Sequence, residues 1–303
     1  METLDRINPA TLAVNYSADD VKGDGLTHGM YLLLQQYLEG TPHKEHIISA
    51  GGIINALRGR KTPGEVEHIK KAIDLAEEIF DEAGKFASLG KTEAAVAQFV
   101  HKQTADRGLG LAWDPHGCPI VNTGPESAMG HGIPSELTIQ PGHLFHIDLG
   151  VRYEGFCSDL QRMWYVLEKG ETQPPDSVKR ALDTIIKAIT ESTKAIKPGA
   201  VGWEIDAIAR DVITGAGYPE FQHGLGHSVG RSVHDGGTGL FPRWDKYGQT
   251  PYGKLEVGNV FTVEPSIADV DGHGCMGLEE MIIVTEEGCE FLSSPQTALR
   301  ILE

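Results

Sequence analysis

The strongest constraint on the fold of this 303-residue chain is that its second half repeats its first. Lys71-Ala72-Ile73-Asp74 returns as Arg180-Ala181-Leu182-Asp183 at an offset of 109, and Gly90 returns as Gly199 at the same offset. Gly142-His143-Leu144-Phe145-His146-Ile147-Asp148 then resembles Gly258-Asn259-Val260-Phe261-Thr262-Val263-Glu264 at an offset of 116, so an acid closes the same apolar run in both copies. Met163 and Val166 match Met281 and Val284, which puts Asp159 and Glu279 near the starts of corresponding strands, two residues out of register. Side chains alternate along a strand, so that difference keeps both acids on the same face.

Ahead of each strand pair stands a pair of helices. Thr62-Pro63-Gly64-Glu65 is a capping box with proline at the first helical position, and Val66, Ile69, Ile73, Ala76 and Ile79 follow at helical spacing. A second helix, about Thr92 to Thr104, follows the break at Gly90. Each copy thus reads helix, helix, strand, strand. The simplest fold for such a duplication is α+β: two pseudo-symmetric halves sharing one sheet surface, with acids from both halves converging at the symmetry axis. Residues 1–60, with one helical run at Gly29 to Glu39, are too short for a separate core and read as a partial or accessory N-terminal segment ending in the linker Leu57-Arg58-Gly59-Arg60-Lys61; residues 61–303 read as the main domain.

The acids determine the chemistry. Asp148 ends an apolar strand, and a buried lone carboxylate costs several kcal/mol. Asp159 lies eleven residues on, past the turn Tyr153-Glu154-Gly155, so a hairpin brings the two carboxylates together, and Glu264 and Glu279 repeat the arrangement. Taken singly, each acid is more often hydrogen-bonded structure or solvated surface than a ligand. Four acids at repeated strand positions repel one another unless divalent cations neutralise them. A nitrogen ligand is expected from the glycine-spaced histidines His223, His227 and His234. Four carboxylates and one imidazole favour Mn, with Co, Zn or Fe as alternatives, over calcium.

Composition removes other classes. Forty-three acidic against 26 basic residues, a net charge of -17, repel nucleic acid and anionic membranes. No run approaches the roughly 20 apolar residues of a membrane span, and Met1 to Ala10 lack a signal peptide's basic start and apolar core. The four cysteines show neither CxxC spacing nor disulfide-scaffold density, so a soluble, reduced, cytoplasmic protein is expected.

With these residues in view, the sequence from about 61 to 303 resembles the creatinase/methionine-aminopeptidase superfamily (M24, pita-bread fold), and within it the prolidase and aminopeptidase P branch. The Asp148-to-Asp159 spacing, the pattern His223-x-x-Gly226-His227-x-x-Gly230-x-x-x-His234-Asp235, the segment Thr262-Val263-Glu264-Pro265 and the terminal Val284-Thr285 with Gly288 occur in family order. The resemblance implies a curved antiparallel sheet and five metal ligands, Asp148, Asp159, His227, Glu264 and Glu279, with Asp159 and Glu279 bridging two ions. Glu279 is preferred to Glu280 because it stands six residues before Thr285. His131, seventeen residues before Asp148, and His234, seven after His227, resemble substrate-contacting histidines, and His223 the additional histidine of the proline-specific branch.

The activity implied is a metallo-exopeptidase that cleaves an Xaa-Pro bond in a dipeptide or peptide, through a hydroxide bridging two metals about 3.5–4 Å apart. Glu264 relays the proton, and His131 and His234 act on the scissile group. A homodimer is also implied. A metal-dependent non-peptidase hydrolase or lyase acting on a small molecule is the alternative, and a non-catalytic binding module a third reading that the retained ligands disfavour. Three positions depart from the branch. Gly277 stands where an arginine is usual, and Gln161-Arg162-Met163 replaces Thr-Arg-Thr.

Overall fold

A computed structural model describes residues 2–18, 22–127, 130 and 132–302. The first 60 residues form only small pieces: α1 (Glu2–Ile7), β1 (Leu12–Val14), α2 (His28–Tyr37), β2 (Ile47–Ser49) and α3 (Gly51–Gly59), with β1 and β2 paired in parallel. Then come α4 (Pro63–Phe86), α5 (Glu93–Asp106), β3 (Gly110–Leu111), β4 (Ile120–Thr123), β5 (Leu144–Leu149), β6 (Val151–Tyr153), β7 (Phe156–Cys157) and β8 (Leu160–Val166). The second half runs α6 (Asp176–Ala195), α7 (Gly202–Gly215), β9 (Val260–Val263), β10 (Ser266–Ile267), β11 (Met276–Gly277), β12 (Glu280–Val284), β13 (Cys289–Phe291) and β14 (Arg300–Leu302).

Local chemistry explains the element starts. The hydroxyl of Thr62 accepts from the backbone N–H of Glu65 while the Glu65 carboxylate accepts from the backbone N–H of Thr62 at 2.8 Å, so the capping box is complete. Thr92 caps α5 in the same way through Ala95 N. Once α4 starts, Ile69, Ile73, Ala76, Ile79, Phe80 and Ala83 face inward as one buried stripe, and Val178, Ala181, Leu182, Ile185, Ala188 and Ile189 do the same on α6.

The stripes feed two cores, one per half. Phe145, Ile147, Trp164 and Val166 pack with α4 and α5, whereas Leu144, Met163 and Tyr165, from the opposite face of the same strands, pack with α6 and α7. The strand pair β5–β8 is therefore covered on both sides, which is why its residues are almost all buried.

Two of the sheets, β14-β8-β5-β4 and β13-β12-β9, are joined by the isolated antiparallel bridge between Gln161 and Glu279. All their pairings are antiparallel except β14 with β8. Residue 161 is also where the offset of 118 that relates Met163 to Met281 places the counterpart of Glu279, so the pseudo-symmetry axis passes through this bridge.

Candidate metal centre

Five side chains approach one another where the two sheets meet. Asp148 is the fifth residue of β5 and lies opposite Gln161 of β8. Asp159 immediately precedes β8, placed there by a tight turn in which Glu154 (φ 48°) and Gly155 (φ 82°) both take left-handed backbone angles between β6 and β7. In the second half Glu264 immediately follows β9 and Glu279 immediately precedes β12. Glu280 pairs with Val263, so one further step of that register sets Glu279 opposite Glu264.

His227 reaches the acids from a segment that runs beside β9. Its backbone N–H donates to Thr262 Oγ1 at 3.0 Å and its carbonyl accepts from Thr262 N at 3.0 Å. That approach needs glycine at the preceding residue: a Cβ on Gly226 would stand 1.9 Å from the Thr262 carbonyl oxygen. Close packing thus accounts for one glycine of the histidine-rich segment.

Asp159, His227 and Glu279 each present a ligand atom within 4.8 Å of those of the other two. His227 Nε2 is 3.4 Å from Asp159 Oδ2 and 3.5 Å from Glu264 Oε1, while Nδ1 turns to the Ser228 carbonyl. Asp148 lies near enough to feel the charge of Asp159 and for its own charge to be felt at Glu264 and Glu279.

Electrostatics make the cluster unstable on its own. Burial, and then mutual repulsion, pushes the carboxyls of Asp148, Glu264 and Glu279 well above the usual range, and burial pushes Asp159 up to about 8. Burial also pushes His227 down to about 4. Asp148 Oδ1 and Glu279 Oε1 are buried without a hydrogen-bond partner among the described residues. Orphaned acceptors, acids that resist ionisation and a neutral imidazole together form a donor set that divalent cations satisfy.

The neighbour of Glu279 is used differently. Glu280 points to the other face and pairs with Arg162 at 3.2 Å, both residues being 1 % exposed. Arg162 also reaches Glu77 at 3.3 Å and donates to the carbonyls of Gln161, Glu279 and Ser294. A carboxylate already neutralised by a buried guanidinium is not open to a metal.

Of the expected substrate histidines, His131 lies outside the described residues. His234 is exposed and its ring stands edge-on to His227 with centroids 4.1 Å apart. His223 holds Ser266 Oγ through Nε2 at 2.8 Å and the Gly224 carbonyl through Nδ1 at 2.8 Å. Gly277 pairs with Ser266, so the position where the branch usually has arginine lies beside His223.

Two groups of polar residues at the site went unread in the sequence. Arg58 and Lys61, which look like a solvated linker, hold Asp235 from the N-terminal side. Arg58 Nη2 is paired with Asp235 Oδ1, Arg58 Nε donates to the Asp235 carbonyl at 3.3 Å, and Lys61 Nζ is 3.5 Å from Oδ2. Asp235 follows His234 directly, so the grip fixes the turn that presents this histidine. The other group is built on Gln161, whose Nε2 donates to Glu264 Oε2 at 3.3 Å. Its signal was His146, a polar residue inside an apolar strand.

The model of metallopeptidase family M24 matches residues 67–286. An uncharacterized peptidase of Staphylococcus saprophyticus is 34% identical over 242 residues, covering 79% of this chain and 64% of that protein, so the chain spans under two thirds of that relative's length. The Xaa-Pro dipeptidase of Pyrococcus furiosus is 32% identical over 270 residues, covering 89% of this chain and 72% of that one. Among solved structures, an X-Pro aminopeptidase from Thermotoga maritima superimposes with a TM-score of 0.79 at 28% identity, covering 99% of this chain and 78% of that one. An Xaa-Pro dipeptidase from Bacillus anthracis gives 0.78 at 30% identity, covering 99% and 77%.

Proposed function

Because the chain belongs to metallopeptidase family M24 and has its pita-bread fold, we propose that it is a two-metal exopeptidase cleaving Xaa-Pro bonds, of the dipeptidase or aminopeptidase P kind. The observation that supports this reading most is the convergence of Asp159, His227 and Glu279, with Glu264 beside them and unpartnered carboxylate oxygens on Asp148 and Glu279. Those five residues would hold the ions, and the oxygen-rich donor set favours Mn. Bound divalent ions supply Lewis acidity and lower the pKa of water toward neutrality.

The chain's own groups do the rest. Glu264 accepts the proton of the attacking water and returns it to the leaving nitrogen. His234, beside His227 and exposed, donates a hydrogen bond to the oxygen of the scissile carbonyl as charge develops there. By the family resemblance His131 would act on the leaving-group side of the substrate, and His223, held to Ser266 Oγ, would contact the substrate as the additional histidine of the proline-specific branch. Residues 61–303 form the catalytic body, and residues 1–60 are an accessory segment that reaches it through Arg58 and Asp235. We assign the protein to the cytoplasm: all four cysteines are free thiols, and no helix among the described residues is long and apolar enough to cross a membrane.

The test is release of free amino acid from Ala-Pro and from Ala-Pro-Ala, with MnCl2 or with EDTA. Mn-dependent cleavage of either supports the reading and chooses between its two forms. Binding of Mn without cleavage of any Xaa-Pro bond would overturn the peptidase assignment in favour of other hydrolytic or lyase chemistry on the same centre.

A further inference from the structure

A line of buried polar side chains ends on Glu264, and the chemistry above makes no use of it. The Asn122 side-chain amide lies 2.9 Å from Ser127 Oγ and 3.1 Å from His146 Nδ1, His146 Nε2 donates to Gln161 Oε1 at 3.0 Å, and Gln161 Nε2 donates to Glu264 Oε2 at 3.3 Å. Ser127, Asn122, His146 and Gln161 are all buried. The sheet sets the line up: Asn122 pairs directly with His146 across β4 and β5, and Gln161 sits one diagonal away on β8. A polar side chain buried in a strand interior costs about 1–3 kcal/mol when left unbonded, so an apolar residue is the default at each of these places.

Gln161 also occupies the pseudo-symmetric counterpart of Glu279 and forms the bridge with it. A carboxylate there would add a fifth negative charge to a cluster whose four acids already resist ionisation. The amide instead offers an N–H to Glu264 and, through its oxygen, is held from behind by His146.

We propose that Gln161 is a positioning residue, clamped by His146, that fixes which way the Glu264 carboxylate faces and so sets its competence to bind an ion. The inference rests on the metal-centre reading of Glu264. Loss of such an outer partner of a ligand typically weakens metal binding or activity 10–100-fold.

Titration of metal-free protein with MnCl2 in a calorimeter tests this on wild type, Gln161→Met, Gln161→Ala, His146→Phe and the double variant Gln161→Met/His146→Phe, with circular dichroism to confirm folding. Both Gln161 substitutions are expected to weaken Mn binding about 10–100-fold. Agreement between the long and the short replacement separates loss of the amide from misfit. Because His146 acts through Gln161, the double variant is expected to bind no more weakly than Gln161→Met alone, whereas a purely structural role would let the two losses add. Wild-type affinity in folded Gln161→Met, or full additivity in the double variant, overturns the inference and leaves the metal centre standing. Absence of Mn binding by wild type overturns both.

Discussion

Glu279 and Glu280 are adjacent and chemically identical, yet the structure predicts opposite consequences for losing them. Glu280→Gln removes the buried partner of Arg162. Breaking one side of a buried ion pair costs about 3–5 kcal/mol. Glu77, 3.3 Å from the same guanidinium and 22% exposed on its side chain, retains part of the compensation, so the lower end, about 3 kcal/mol, is expected. The new amide also sets an N–H against one of two donors, Ser293 Oγ or Gln296 N, that now bind the carboxylate. At roughly 2 °C per kcal/mol for a chain of this size, the melting temperature falls by about 6 °C, and Mn binding is retained.

Glu279→Gln does the reverse. It removes one of four mutually repelling acids, so metal-free protein at pH 8 is expected to melt higher than wild type. Its Mn affinity is expected to fall by at least the 10–100-fold that loss of an outer-shell partner costs. Thermal melts in EDTA and in MnCl2, with calorimetric Mn titration, read both effects. Glu280→Gln losing the metal while Glu279→Gln keeps it would refute the assignment of the two faces of β12.

In EDTA, stability is expected to fall as pH rises: the carboxyl of Asp159 sits near 8 in the folded chain against an ordinary 3.8, so its stabilising proton is held below the lower value and lost through the higher. His227, pushed down to about 4, opposes this below its ordinary 6.5, so chemical denaturation between pH 6.5 and 8 isolates the acids; stability flat or rising across that window in EDTA would contradict the account. Asp235→Asn leaves Arg58 and Lys61 facing a neutral group. It is expected to lower kcat on an Xaa-Pro substrate with Mn content unchanged, and kcat equal to wild type would dismiss the grip on the His234 turn. Gly226→Ala drives a Cβ to 1.9 Å from the Thr262 carbonyl and is expected to cost about 3 kcal/mol or more, read as a lowered denaturant midpoint.

The duplication made the fold legible: each copy ends its apolar run in an acid, so Asp148 pairs with Glu264 from spacing alone, whereas Asp159 and Glu279 lie two residues out of register and share only a strand face. The glycine-spaced histidines gave a nitrogen donor from among His223, His227 and His234, and the family resemblance singled out His227. The choice of Glu279 over Glu280 was legible only through family spacing, because its physical reason, Arg162, lies 117 and 118 residues away in sequence and meets them only through the sheet. Strand β8 begins at Leu160, directly after Asp159, because Leu160 pairs with Leu149 and pulls Gln161 into the ladder. The parallel pairing of β14 with β8 had no local signal, since Arg300-Ile301-Leu302 is three residues with no turn linking it to its partner. Arg58 and Lys61 read as solvated linker because nothing local marks a charge that will be buried by a loop some 175 residues on.

Elemental analysis of protein reconstituted with Mn and freed of loosely held ions reads whether the two halves of the chain meet around a pair of metal ions. Two Mn per chain are expected in wild type, with a clear loss in Asp159→Asn, the acid that both His227 and the other carboxylates face. No retained Mn in wild type, or full occupancy in Asp159→Asn, would contradict the two-metal centre.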